Sequence, residues 1–191
     1  LDRRARLAIL LSGRGSNFAA IADAVDAGRI PDAEIVAVVS DNVGAPGLEF
    51  ARERGLPVFS LASSKRTELE RELRKVLAGC RPDLICLAGF MRILSPELVA
   101  EYRGRILNIH PSLLPKFRGL HPQRRALEAG ETESGCTVHY VDEGVDSGES
   151  LLQRRVPILP GDTEESLSAR ILEKEHEAYP EAVRIALSRL K

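Results

Sequence analysis

The sequence has few cysteines, no excess of either charge and no long apolar run. Cys80, Cys86 and Cys136 form neither a C-x-x-C pair nor a spaced disulfide framework, which points to a reducing compartment. The histidines, His110, His121, His139 and His176, show no zinc spacing, so no metal is expected. A formal net charge of -1 gives the chain no global attraction for nucleic acid or for an anionic membrane. No apolar stretch approaches a bilayer span, and Leu1-Asp2-Arg3-Arg4-Ala5-Arg6 lacks the apolar core of a secretory signal. These absences predict a cytoplasmic location with no membrane or nucleic-acid partner. The first residue is not Met, so a trimmed start is expected.

What is there fits one domain. The 191 residues, 43% hydrophobic and 29% charged, suffice for a substantial core, and no internal repeat, linker or low-complexity segment interrupts them. Leu7-Ala8-Ile9-Leu10-Leu11 is a continuous apolar run, the mark of a strand buried on both faces of a parallel sheet. It enters Ser12-Gly13-Arg14-Gly15-Ser16-Asn17, after which Phe18, Ile21, Ala22 and Val25 recur at helical spacing. Gly13 and Gly15 permit close backbone approach, and the free N–H groups of the following helix start suit an anion. Phe18 stands where a dinucleotide fingerprint needs its third glycine, so a single terminal phosphate is the better guest; an ordinary turn with Ser16 as helix cap is the alternative.

Further strands are predicted at Glu34 to Ser40, Pro57 to Ser60 and Leu84 to Ala88. Helices are predicted from Ala45 to Arg54, after Ser63-Ser64 as far as Gly79, and after Ser95-Pro96, where Ser95 serves as N-cap. Four β-α units joined by right-handed crossovers bring their loops to one edge of one sheet. Phe90, Met91, Ile93 and Leu94 would form an apolar wall there, or simply pack beneath a helix.

The next strand ends in Asn108-Ile109-His110-Pro111. Asn108 and His110 lie two apart and share a face; an amide donor suits a developing oxyanion and an imidazole exchanges protons near neutrality. Pro111 and Pro115 stiffen the loop that follows. Lys116, Arg118, Arg124 and Arg125 either attract an acidic ligand tail or form a solvated basic face. A helix is predicted from Gln123 to Ala129, then a hairpin of Thr137 to Val141 against Leu151 to Val156, which makes the sheet mixed. In its turn Asp146 either orients His110 or merely stabilises the turn. Asp162 with Glu165 reads as a capping box, and Pro180 as the break between two last helices.

Gly13-Arg14-Gly15-Ser16-Asn17, Ala88-Gly89-Phe90-Met91-Arg92-Ile93-Leu94, Asn108 to Pro115 and Asp142 to Gly148 together resemble, in matching order and over essentially the whole chain, the phosphoribosylglycinamide formyltransferases of purine synthesis. The resemblance implies an α/β, Rossmann-like formyltransferase fold: a mostly parallel twisted sheet with helices on both faces and an antiparallel strand in the C-terminal half. One domain is implied, with a phosphate-binding half over residues 1–100 and a catalytic and folate half over 101–191. It implies transfer of a formyl group from 10-formyltetrahydrofolate, as co-substrate, to the amine of glycinamide ribonucleotide. Asn108, His110 and Asp146 would occupy the catalytic positions, a protonated His110 and Asn108 stabilising the oxyanion and Asp146 assisting proton transfer.

By the same resemblance Gly13, Gly15, Ser16, Asn17 and Glu175 take the ribonucleotide. Arg66, Phe90, Met91, Arg92, Ile93, Leu94, Asn108, Asp142, Glu143, Gly144 and Val145 take the folate. A cis peptide before Pro115 is implied, and a homodimer is compatible with the pattern. Arg14 replaces a small or amide residue, Arg125 a frequent Gln, and the chain stops at Lys191, short of C-terminal strands that many members carry. Formyltetrahydrofolate hydrolase and methionyl-tRNA formyltransferase are the nearest alternatives, and a non-catalytic nucleotide-binding module is the alternative from another class.

Overall fold

The protein is described by a computed structural model covering residues 3–190. Strand β1 (Ala5–Leu11) leads into helix α1 (Ser16–Asp26), then β2 (Ala33–Ser40), α2 (Pro46–Glu53), β3 (Val58–Ser60), α3 (Arg66–Cys80), β4 (Leu84–Leu87) and α4 (Pro96–Glu101). After β5 (Ile106–His110) come α5 (Pro122–Glu128), the hairpin β6 (Glu133–Tyr140) and β7 (Ser150–Pro157), and the long helix α6 (Glu164–Arg189). The sheet runs β3-β2-β1-β4-β5-β6-β7. Pairing is parallel from β3 through β5 and antiparallel for β5 with β6 and β6 with β7.

The apolar run of β1 is continuous because both its faces are covered. Leu7, Ile9 and Leu11 enter one core with Phe18 and Ile21 of α1, Leu48 of α2, and Tyr179 and Val183 of α6. Ala8 and Leu10 enter the other with Leu73 and Leu77 of α3 and Leu98 of α4. Strand order reverses between β1 and β4, and a crevice opens at such a switch point beyond the carboxyl ends of the strands. The loops after β1 and β4 meet there: the Ser12 amide donates to the Gly89 carbonyl at 3.0 Å.

Four local expectations are corrected. Helix α3 does not stop at Gly79 but runs to Cys80, and Arg81 takes the left-handed conformation at φ 44. Cys80 packs into the core, and Arg6 Nε donates to its otherwise orphaned carbonyl at 2.9 Å. Strand β6 begins at Glu133 rather than Thr137, because Gly135 hides the alternation. A Cβ there would lie 1.9 Å from the Arg154 carbonyl oxygen, so the close approach of β7 requires glycine. The cap of α6 is Thr163 with Ser166 rather than Asp162 with Glu165; Asp162 instead holds Arg170 and the Leu159 amide.

Pro180 does not divide the last helix, which is continuous through it. Proline in a helix interior costs about 3 kcal/mol. Here Ala178, Tyr179, Ala182 and Val183 are all fully buried on either side, and their packing holds the helix together. The Tyr179 hydroxyl lies 2.8 Å from the Leu87 carbonyl oxygen and 3.1 Å from that of Leu107, so its one proton is shared between β4 and β5. Tyr179→Phe should therefore cost about 1–3 kcal/mol of stability. An unchanged urea midpoint in that variant would contradict this.

Candidate active site

Antiparallel pairing of β5 with β6 sets the centre of the site by placing Asn108 opposite His139 and His110 opposite Thr137. Thr137 then rivets the loop that leaves His110. Its hydroxyl donates to the Ser112 carbonyl at 2.7 Å and accepts from the Leu114 amide at 3.1 Å. Ser112, fully buried, donates to the Lys116 carbonyl at 2.7 Å, and the Leu114–Pro115 peptide is cis, as the resemblance implies. The stiff loop delivers the Phe117 carbonyl to His110 Nε2 at 2.9 Å.

That contact decides which nitrogen works. A carbonyl only accepts, so Nε2 carries the proton and Nδ1 faces Asp146 Oδ2 at 3.3 Å. Asp146 has its backbone in the left-handed region at φ 49, and its carboxylate accepts from the Gly119 amide at 3.0 Å. Burial alone would raise its pKa, but the neighbouring His139, the hydrogen bond from the Gly119 amide and the nearby His110 outweigh that and hold it below the usual carboxylate range. Burial pushes the His110 imidazole below its ordinary value, against the opposing pull of Phe117 and Asp146. The lowered pKa favours the neutral imidazole near neutral pH, with Nδ1 placed to take a proton.

His139, to which the sequence reading gave no role, completes the cluster. Its Nδ1 donates to the Tyr140 carbonyl at 3.0 Å, which leaves Nε2 as the acceptor for Asn108 Nδ2 at 3.4 Å, with Asp146 Oδ1 at 3.5 Å. The contact turns the Asn108 amide and leaves one of its N–H groups for a ligand. His139 stands on a legible strand, but only the unassigned register of β6 against β5 brings it to Asn108.

The glycine loop lies at the same edge. Gly15, at φ 75, precedes α1, and no side chain caps that helix; Ser16 is its first residue and not its cap. Gly13 stands just before, its carbonyl accepting from the Gly47 amide at 3.1 Å. Asn17 Nδ2 donates to Glu175 Oε2 at 2.9 Å, and both side chains are buried. Burial raises the Glu175 carboxyl against the opposing Asn17 contact, and among the described residues Asn17 Oδ1 has no partner.

Phe90 is half-buried and Leu94 buried, whereas Met91 and Ile93 are 75% and 70% exposed. The expected wall is therefore a rim with two anchored ends. Arg92 Nε donates to Asp41 at 2.8 Å. In the turn after β6, Asp142 accepts from the Gly144 amide at 3.0 Å and the Ser147 hydroxyl at 2.6 Å, Glu143 pairs with Arg103, and Val145 is exposed. Arg66 opens α3 in an exposed position, and among the described residues no hydrogen bond ties it to the cluster.

Known proteins place this architecture. Residues 5–183 match the model of the formyl transferase family. The trifunctional purine biosynthetic protein adenosine-3 of Drosophila pseudoobscura pseudoobscura is 54% identical over 97% of this chain, which spans only 14% of that protein's length. The phosphoribosylglycinamide formyltransferase of Escherichia coli K12 is 46% identical over 91% of this chain and 83% of its own. A crystal structure of glycinamide ribonucleotide transformylase 1 from Symbiobacterium toebii superposes with a TM-score of 0.92 at 46% identity, over 97% of this chain and 89% of that one. By sequence and by fold, the chain belongs to the formyl transferase family, among its phosphoribosylglycinamide formyltransferases.

Proposed function

We propose that the chain transfers the formyl group of 10-formyltetrahydrofolate to the amino group of glycinamide ribonucleotide. The observation that carries this reading is the convergence of Asn108 Nδ2, His110 Nδ1 and Asp146 within one hydrogen-bonded cluster at the carboxyl ends of the strands. The uncapped start of α1 takes the phosphate through Gly13, Gly15, Ser16 and Asn17, with Glu175 beside the sugar. The Phe90 to Leu94 segment and the Asp142 to Val145 turn flank the pterin, and Arg66 faces the acidic tail.

The amine attacks the formyl carbon, a C–N bond forms, and the carbonyl oxygen becomes an oxyanion. The free N–H of Asn108 stabilises that charge. The ammonium proton passes to the His110–Asp146 pair, where the imidazolium that forms is stabilised on both nitrogens, and then to N10 of the folate as its bond to carbon breaks. Formylated ribonucleotide and tetrahydrofolate leave.

A neutral resting His110 fixes the pH dependence. Its pKa lies below the ordinary 6.5, so the acid limb of kcat/KM should have its midpoint below that value. The folded state binds this proton less readily than the unfolded chain, so His110 lowers stability as pH falls through 6.5 and has no effect well above it. A His110 resonance titrating above 6.5 would contradict both statements. The reading as a whole is tested by spectrophotometric release of tetrahydrofolate, which should require the ribonucleotide. Release without it would identify a hydrolase.

A further inference from the structure

The middle of the loop assigned to the pterin is not held by apolar side chains. Met91 and Ile93 point outward, and the backbone between the anchors Phe90 and Leu94 is fixed by polar contacts instead. The Met91 amide donates to Ser12 Oγ at 2.9 Å, and Ser12 Oγ donates in turn to Asp41 Oδ1 at 2.6 Å. The other Asp41 oxygen accepts from Arg92 Nε at 2.8 Å. Ser12 is itself fixed by its amide on the Gly89 carbonyl and by Asn42 Nδ2 on its own carbonyl at 3.2 Å.

Ser12 immediately precedes Gly13 of the phosphate loop, and Asp41 immediately follows β2 with its side chain only 8% exposed. One hydroxyl and one carboxylate therefore join the ends of β1, β2 and β4. Ser12 thus ties the Met91 amide to the start of the phosphate loop.

We propose that Asp41 is a positioning residue that couples the two halves of the cleft, so that ribonucleotide at the glycine loop tightens folate binding through the Ser12–Asp41–Arg92 chain. The inference rests on the assignment of the two loops made above. Asp41 satisfies both of its donors only while the loops keep this spacing, so a ligand that fixes one loop reduces the ordering the second ligand must still impose.

Titration calorimetry of the full chain with tetrahydrofolate, with and without saturating glycinamide ribonucleotide, reads the coupling without turnover. In the wild type the ribonucleotide should tighten tetrahydrofolate binding by about fivefold or more. In Asp41→Ala the ratio should fall to about one, and in steady-state kinetics the folate KM should rise about tenfold with little change in kcat. Asp41→Asn keeps the shape and one acceptor oxygen but cannot serve both donors, so its ratio should fall between the two; it also supplies a folded comparison if Asp41→Ala does not fold. A wild-type ratio of one, or an undiminished ratio in both variants, overturns the proposal while leaving the loop assignment intact. Failure of the wild type to bind either ligand alone overturns the assignment itself.

Discussion

Asp146→Asn should lower kcat by about 10³- to 10⁴-fold at saturating substrates while each KM changes by less than about threefold. Asparagine has nearly the same shape and can still accept from the Gly119 amide, so the turn keeps its conformation. What it loses is the negative charge beside His110 Nδ1 and His139 Nε2. The imidazolium that forms when the amine gives up its proton then stands in a buried site with no counter-charge. The loss therefore falls on the transition state and not on binding. Steady-state kinetics with both substrates varied measure the split; a drop of less than tenfold, or one expressed mainly in KM, would place Asp146 outside the chemistry.

Asn108→Ala should cost about 10²- to 10³-fold in kcat, the usual effect of removing one oxyanion donor from a preorganised site. The amide is aimed in advance because His139 Nε2 accepts one of its N–H groups, so little reorganisation accompanies charge development. Asn108→Asp should not rescue the loss. A carboxylate offers no donor, and it adds a charge that repels both the oxyanion and Asp146. His139→Phe, which removes the acceptor while keeping a flat ring, should produce a smaller loss of the same kind by freeing the Asn108 amide to turn. Equal activity of Asn108→Ala and wild type in the same assay would remove the oxyanion role from this residue.

The sheet was legible because its strands obey simple burial rules. The runs Leu7 to Leu11 and Leu84 to Leu87 are apolar throughout since helices cover both faces, and the alternation from Thr137 to Tyr140 announces the antiparallel part. The pairing of Asn108 and His110 on one face followed from the two-residue strand period alone. The illegible features depend on contacts distant in sequence. Pro180 signals a break that packing around Tyr179 overrides, and Gly79 signals a stop that Cys80 burial overrides. His139 and Asp41 escaped because each acquires its partners across strands, from Asn108 and Asp146 in one case and from Ser12 and Arg92 in the other. The pKa of His110 depends on such contacts too. Its pKa is set by burial and by the Phe117 carbonyl, which the proline loop delivers from seven residues away.

The central claim is direct transfer of a formyl group to the ribonucleotide amine at the Asn108–His110–Asp146 cluster. Carbon-labelled 10-formyltetrahydrofolate, incubated with the protein and glycinamide ribonucleotide, tests it by the fate of the label. The account predicts that the label appears as an N-formyl group on the ribonucleotide, in step with tetrahydrofolate release, and that Asp146→Asn abolishes both together. Label recovered as free formate, or transfer that persists at the wild-type rate in Asp146→Asn, would contradict it.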